Sequence, residues 1–193
     1  GLNNTAGTIS NAYATGNVSS HNSDGEVGGL VGYNYYGTIS NAYATGNVNA
    51  SGTTGAAEAG GLVGYKYYGS ISTAYATGNV TVSGLREIGG LVGSNNETIS
   101  NAYATGNMIG SNVAAGGLIG VKYDGTISDV YATGNVSSHN SGGEVGALIG
   151  NNYYGTLNNA YFDTSTSGTT VGIGGGNRSG GKGLTTVQWL TEG

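Results

Sequence analysis

The sequence predicts an all-β fold: a right-handed parallel β-helix, or β-solenoid, of about six coils with ~30 residues in each. Three observations carry this. The phrase GTISNAYATGNV stands at 7–18 and again, letter for letter, at 37–48. It returns as GSISTAYATGNV from Gly69, ETISNAYATGNM from Glu97, GTISDVYATGNV from Gly125 and, divergently, GTLNNAYFDTST from Gly155. Successive copies start 28 to 32 residues apart, a period that belongs to solenoids, propellers or arrays. Finally, the short runs between glycines are rich in Ile, Val, Thr and Tyr, with no apolar spacing of the helical kind, so strands are expected.

A propeller blade needs ~40 residues and four strands, so ~30 residues with two or three short strands fit a solenoid coil better. One coil cannot bury its own apolar side. Stacking coils at ~4.8 Å sets like over like, builds a continuous core and, over six coils, makes a rod of roughly 29 Å. Three columns are expected to face inward: Ile9, Ile39, Ile71, Ile99, Ile127 and Leu157; Val18, Val48, Val80, Met108 and Val136; Leu30, Leu62, Leu91, Leu118 and Leu148. Gly16, Gly46, Gly78, Gly106 and Gly134 are expected at a corner with positive φ. The Asn that follows each, from Asn17 to Asn135, is placed to form a hydrogen-bonded ladder.

Tyrosine divides into two groups. Tyr13, Tyr43, Tyr75, Tyr103, Tyr131 and Tyr161 recur inside the phrase. Unbroken strand alternation puts them on the face of Ile9 and sends the ladder inward, which is the expectation; a bend at Asn11 reverses it and turns Ala12 and Ala14 inward. The second group follows GLVG and its variants: Tyr33, Tyr35, Tyr36, Tyr65, Tyr67, Tyr68, Tyr123, Tyr153 and Tyr154. Aromatic rows at a turn offer flat apolar surface with a hydroxyl handle, which suits sugar rings and protein partners. The candidate ligand-binding residues are therefore Tyr33, Tyr35, Tyr36, Tyr65, Tyr67, Tyr68, Tyr153 and Tyr154. The plainer reading of the same residues is coil-to-coil stacking that stiffens the rod. A flat, uncharged row of Thr8, Ser10, Ala12 and Ala14 also raises ice binding, although the row lacks regular paired Thr.

Composition narrows the function. The 193 residues include 41 Gly and neither Pro nor Cys, and only 8% are charged. Periodic apolar residues with so little charge read as an ordered repeat rather than disorder. The net charge is −5, and Lys66, Arg86, Lys122, Arg178 and Lys182 make no basic stripe, which argues against nucleic acid. No apolar run approaches the ~20 residues of a membrane span. The chain opens inside the repeat pattern, without Met or a signal peptide, and reads as an excised piece of something longer.

Catalytic chemistry finds little support. His21 and His139 sit in equivalent loops four coils apart, roughly 19 Å by the coil spacing, too far to share a metal. Asp124 and Asp129 are the one carboxylate pair that a turn could bring together, and a lone pair without a cationic cluster is weak. HExxH and the calcium nonapeptide are absent, and GIGGGN at 172–177 lacks the GK[ST] of a phosphate loop. No enzyme activity, cofactor or metal is expected.

The repeated GGLVG…GTISNAYATGNV resembles the GLUG motif over roughly residues 7–162, and YFDTSTSG…GKGLTT at 161–186 resembles the segment that often closes such arrays. The resemblance implies a surface-exposed β-solenoid from a large secreted bacterial protein, such as a filamentous-haemagglutinin-like adhesin, located extracellularly or at the cell surface. The partners it leaves open are glycans, host or matrix proteins, and other solenoid chains. The family offers no catalytic or ligand residues to carry over. The expected organisation is a repeat solenoid at 1–162 and a capping segment at 163–193. In that segment 172–183 is a Gly-rich loop, Thr185 and Gln188 have capping-box spacing, and Trp189 and Leu190 lie over the last coil.

Overall fold

The computed structural model describes residues 1–3, 7–21, 25–51, 58–84, 87–111, 114–138 and 144–192. They wind into a solenoid bounded by four parallel sheets, or faces. Face 1 holds the repeated phrase, with Thr38–Ala44, Ile71–Ala76, Ile99–Ala104 and Thr126–Ala132 as its central rungs. Face 2 follows at Val48–Ser51, Val80–Ser83 and their equivalents, face 3 at Glu58–Gly60 and Glu87–Gly89, and face 4 at Val63–Lys66 and Val92–Asn95. The chain completes five four-sided coils. Four strands per coil replace the expected two or three, because GGLVG breaks at a corner and serves two faces.

The sixth copy of the phrase, Thr156–Asp163, is a full rung of face 1. Beyond it faces 2 and 3 carry turns rather than strands, although Ser167 and Val171 still accept from Val136 and Ala147 of the coil before. Residues 172–183, expected as a loop, instead supply two more rungs, Ile173–Gly176 on face 4 and Gly181–Leu184 on face 1. Glycine is needed there because the preceding coil lies so close: a Cβ on Gly174 would stand 2.5 Å from the Val145 nitrogen.

Register sets like on like: Ile39, Ile71, Ile99 and Ile127 are successive partners. From the second coil to the fifth, the expected Ile, Val and Leu columns are buried throughout. The interior has two lobes. Ile, Leu and Val of faces 1 and 4 fill one; Val48, Val80, Met108 and Val136 meet Ala59, Ile88 and Ala115 of faces 2 and 3 in the other. Burying each such aliphatic side chain contributes about 1.5–3 kcal/mol.

The Tyr ladder points outward, against the expectation. Asn11, Asn41, Thr73, Asn101, Asp129 and Asn159 all have φ between 47° and 55°. This left-handed residue resets the alternation in mid-phrase, so Ile39 and then Ala42 and Ala44 face the core while Tyr43 faces out. The uncharged row that included outward Ala12 and Ala14 does not form, since their stacked equivalents are core residues. The outward rings stack from Tyr13 to Tyr131 with centroids 4.8–5.2 Å apart and planes within 10°.

The corner glycines are a second correction. Gly16, Gly46, Gly78, Gly106 and Gly134 are not among the residues with positive φ. They are small because coils nearly touch there: a Cβ on Gly46, Gly78, Gly106 or Gly134 would overlap the carbonyl of the glycine one coil below. The adjoining Asn ladder does form. Each N–H of Asn47, Asn79, Asn107 and Asn135 donates to the side-chain oxygen of the Asn below, at 2.9 Å.

A short helix, α1 (Thr186–Glu192), ends the described chain. Its capping box is made as the spacing predicts: Thr185 N–H donates to Gln188 Oε1 at 2.8 Å and Gln188 N–H to Thr185 Oγ1 at 3.3 Å. Buried Asp163 accepts from Thr186 Oγ1 at 2.8 Å and ties the helix to the last full rung of face 1. Trp189 lies edge-on to Tyr131 and Tyr161, ending the stacked ladder, whereas Leu190 is exposed.

Candidate functional site

The second tyrosine group sits where face 4 turns into face 1. Tyr33 and Tyr65 are register partners, and the chain continues outward through Tyr35–Tyr36 and Tyr67–Tyr68. Six rings thus form three columns on two rungs. Tyr33–Tyr65, Tyr35–Tyr67 and Tyr36–Tyr68 stack at 5.0–5.2 Å with planes within 12°. Tyr36 and Tyr68 stand edge-on to Tyr35 and Tyr67, with centroids 4.4 Å apart. Each stack uses one face of each ring, so the array offers ring edges, hydroxyls and the faces left at its ends.

The eight predicted residues do not form a continuous row. The third coil has Ser94 and Asn96 in the first two columns, and its turn is one residue shorter, so the array stops after Tyr65, Tyr67 and Tyr68. Tyr153 stacks on Tyr123 at 5.4 Å two coils further on, and among the described residues no ring stacks on Tyr154. Tyr36, Tyr68 and Tyr153 are 40–49% exposed and Tyr154 72%, so these four carry most of the accessible ring surface. Tyr33, Tyr35, Tyr65 and Tyr67 are half-buried.

The array lies beside carboxylates. Glu58 and Glu87 are partners on face 3, and Tyr123 donates to Glu87 Oε1 at 3.0 Å. Burial pushes the Tyr65 phenol up to about 12, helped by Tyr33 and Glu58. Burial and then Glu26 raise Tyr33. The Tyr33 and Tyr65 hydroxyls therefore remain neutral donors across physiological pH.

The sequence reading missed a polar column inside the fold. Asn3, Asn34, Lys66, Asn95, Lys122 and Asn152 are successive register partners on face 4. From Asn34 to Asn152 they are fully buried. The asparagines donate to turn carbonyls: Asn34 to Gly37 and Asn95 to Glu97, each at 2.7 Å in the turn that follows, and Asn152 to Asn177 of the next coil at 2.9 Å. Lys122 Nζ donates to the Tyr154 carbonyl. The signal was available: the residue directly after each GLVGY, GLVGS, GLIGV or ALIGN is always Asn or Lys.

Burial lowers the Lys122 amine to about 8, with Asp124 pulling weakly the other way. A lysine depressed when folded binds fewer protons than the unfolded chain, so stability rises from about pH 8 toward the ordinary lysine value of 10.5. Urea midpoints should therefore increase from pH 7 to 9.5 in the native chain by more than in Lys122→Met. Equal slopes in the two proteins would contradict this account of Lys122.

Other candidates separate. His21 is exposed and borders a shallow groove on face 2 with Ser20, Asn49, Ser51, Thr81 and Ile109, while His139 lies outside the described residues. Asp124 accepts from Gly125 N–H at 2.7 Å and Asp129 from Asn159 Nδ2 at 2.9 Å, so the two are engaged separately.

Four in-register faces, a continuous core and a ~30-residue unit define the molecule as a repeat protein of the parallel β-solenoid class. The family model for the GLUG motif matches four times, at 23–49, 55–81, 84–109 and 111–137, which is more than half of the chain. The chain belongs to the GLUG-motif family. No curated protein and no solved structure matches it. Among the described residues no helix is long and apolar enough to cross a membrane, which leaves β-barrels unaddressed.

Proposed function

We propose that this chain is a non-catalytic structural segment of an exported bacterial cell-surface protein, a stalk that holds an adhesive or otherwise functional part away from the cell. One observation carries the reading: the same phrase stacks on itself in unbroken register through five coils, so every repeat adds length. The Tyr and Asn ladders act on the outer surface and the Ile, Val and Leu columns within. GLUG-motif proteins are typically extracellular, which fits this location.

A second reading has the Tyr array contact a carbohydrate or matrix protein, favoured by the exposure of Tyr36, Tyr68, Tyr153 and Tyr154. A glycan and matrix-protein panel separates the two, run beside a folded variant with Tyr35, Tyr36, Tyr67 and Tyr68 changed to Ala. The stalk reading expects no saturable binding by either protein. Binding by the native chain that disappears in the variant overturns it in favour of the second reading.

A further inference from the structure

Lys66 presents a chemical problem that stacking does not answer. It is fully buried, and its Nζ has no hydrogen-bond partner. An uncompensated buried ammonium is strongly disfavoured. Its register partners are Asn34 in the coil before and Asn95 in the coil after. The Asn34 amide is occupied on both sides: its oxygen accepts from Asn3 Nδ2 at 2.8 Å and its nitrogen donates to the Gly37 carbonyl at 2.7 Å. Asn95 is different. Its nitrogen donates to the Glu97 carbonyl at 2.7 Å, but its buried oxygen has no partner. An orphan amine and an orphan amide oxygen thus occupy neighbouring rungs of one buried column.

We propose that Lys66 and Asn95 are a cross-linking site, at which the lysine amine displaces the asparagine side-chain nitrogen and joins the second coil to the third through an isopeptide bond. Burial holds the Lys66 amine down at about 7, with Glu97 opposing more weakly, so the neutral nucleophile is abundant near neutral pH. Nζ attacks Asn95 Cγ, the Cγ–Nδ2 bond breaks, and ammonia leaves. One Nζ proton ends on the departing nitrogen, relayed by the Glu97 carboxyl, the acidic group whose charge reaches Lys66. The step consumes no oxidant, reductant or cofactor. Lys122 is held out of the same reaction, since its Nζ is engaged by the Tyr154 carbonyl. The product is a neutral amide in place of a buried amine, and it locks two coils of a rod against unwinding. The inference rests on the fold and not on the stalk reading.

Intact-mass spectrometry of the folded chain, held at pH 8, tests it. The native protein should lie one ammonia below its sequence mass. Because acylated Lys66 resists trypsin, fragments 1–86 and 87–122 should emerge joined. Lys66→Asn repeats the residue of neighbouring rungs, so it should fold and keep its full sequence mass. Glu97→Gln should fold and link more slowly. A native chain that stays at full sequence mass overturns the proposal. So does an ammonia loss that persists in Lys66→Asn, which reports an asparagine succinimide instead. Linking in Glu97→Gln as fast as in the native chain removes Glu97 as the relay.

Discussion

Changing Gly78 to Ala is expected to destabilise the solenoid by about 3 kcal/mol or more, while Gly16→Ala, at the same place in the same phrase, should be neutral or slightly stabilising. Neither glycine needs a left-handed backbone, so the difference is one of contact. A Cβ on Gly78 would overlap the Gly46 carbonyl. Backbone cannot swing aside as a side chain can. Opening the gap would also strain the bond from Asn79 N–H to Asn47 Oδ1. A Cβ on Gly16 meets nothing within 4 Å, and alanine there mainly lowers the entropy of the unfolded chain. Against the ~5–15 kcal/mol that holds a typical domain, the first change is severe. Urea denaturation of both variants measures it; similar midpoints would show that coils do not close at this corner.

The second large effect concerns the inside of the phrase. Ala76→Leu should cost about 3 kcal/mol or more, whereas Tyr75→Ser should cost much less, on the order of 1–3 kcal/mol for two lost ring contacts. Ala76 is fully buried in the lobe of faces 1 and 4 and lies against the Gly61 backbone: a Cβ on Gly61 would stand 2.8 Å from the Ala76 Cβ. No volume remains for three further carbons. Tyr75, one residue away, stacks outside on Tyr43 and Tyr103. The opposite ranking would mean that the Tyr ladder is internal, as simple alternation suggests. Thermal melts of the two variants decide this.

Much of the fold was legible because repetition supplies its own alignment. Six copies of one phrase disclose the Ile, Val and Leu columns before any coordinate is known, and the Asn ladder follows from stacking alone. The parts that were misread each depend on a single backbone angle or a close approach. One left-handed residue, Asn41 in the second coil, inverts the face of Tyr43, and no propensity marks it uniquely, since Thr73 and Asp129 do the same. The corner glycines look the same in sequence whether they serve φ or proximity. Residues 172–183 read as a loop because stacked glycines leave no apolar period to see, although they pair as rungs. At the candidate site the Tyr columns were visible. Their break at Ser94 and Asn96 follows from the shorter turn of that coil. The buried Lys66 and Lys122 show in the sequence only as charges, because a lone lysine in a turn normally faces water.

The central claim is that the repeated phrase stacks on itself at one coil spacing along a single rod. Spin labels at positions 15 and 133, both in the outward Thr column after the Tyr ladder, lie four coils apart. Their separation, measured by pulsed electron resonance, should be a single narrow population near ~19 Å, given four steps at the strand spacing. A broad distribution, or one centred well beyond that length, would contradict the stacked solenoid and every functional inference built on it.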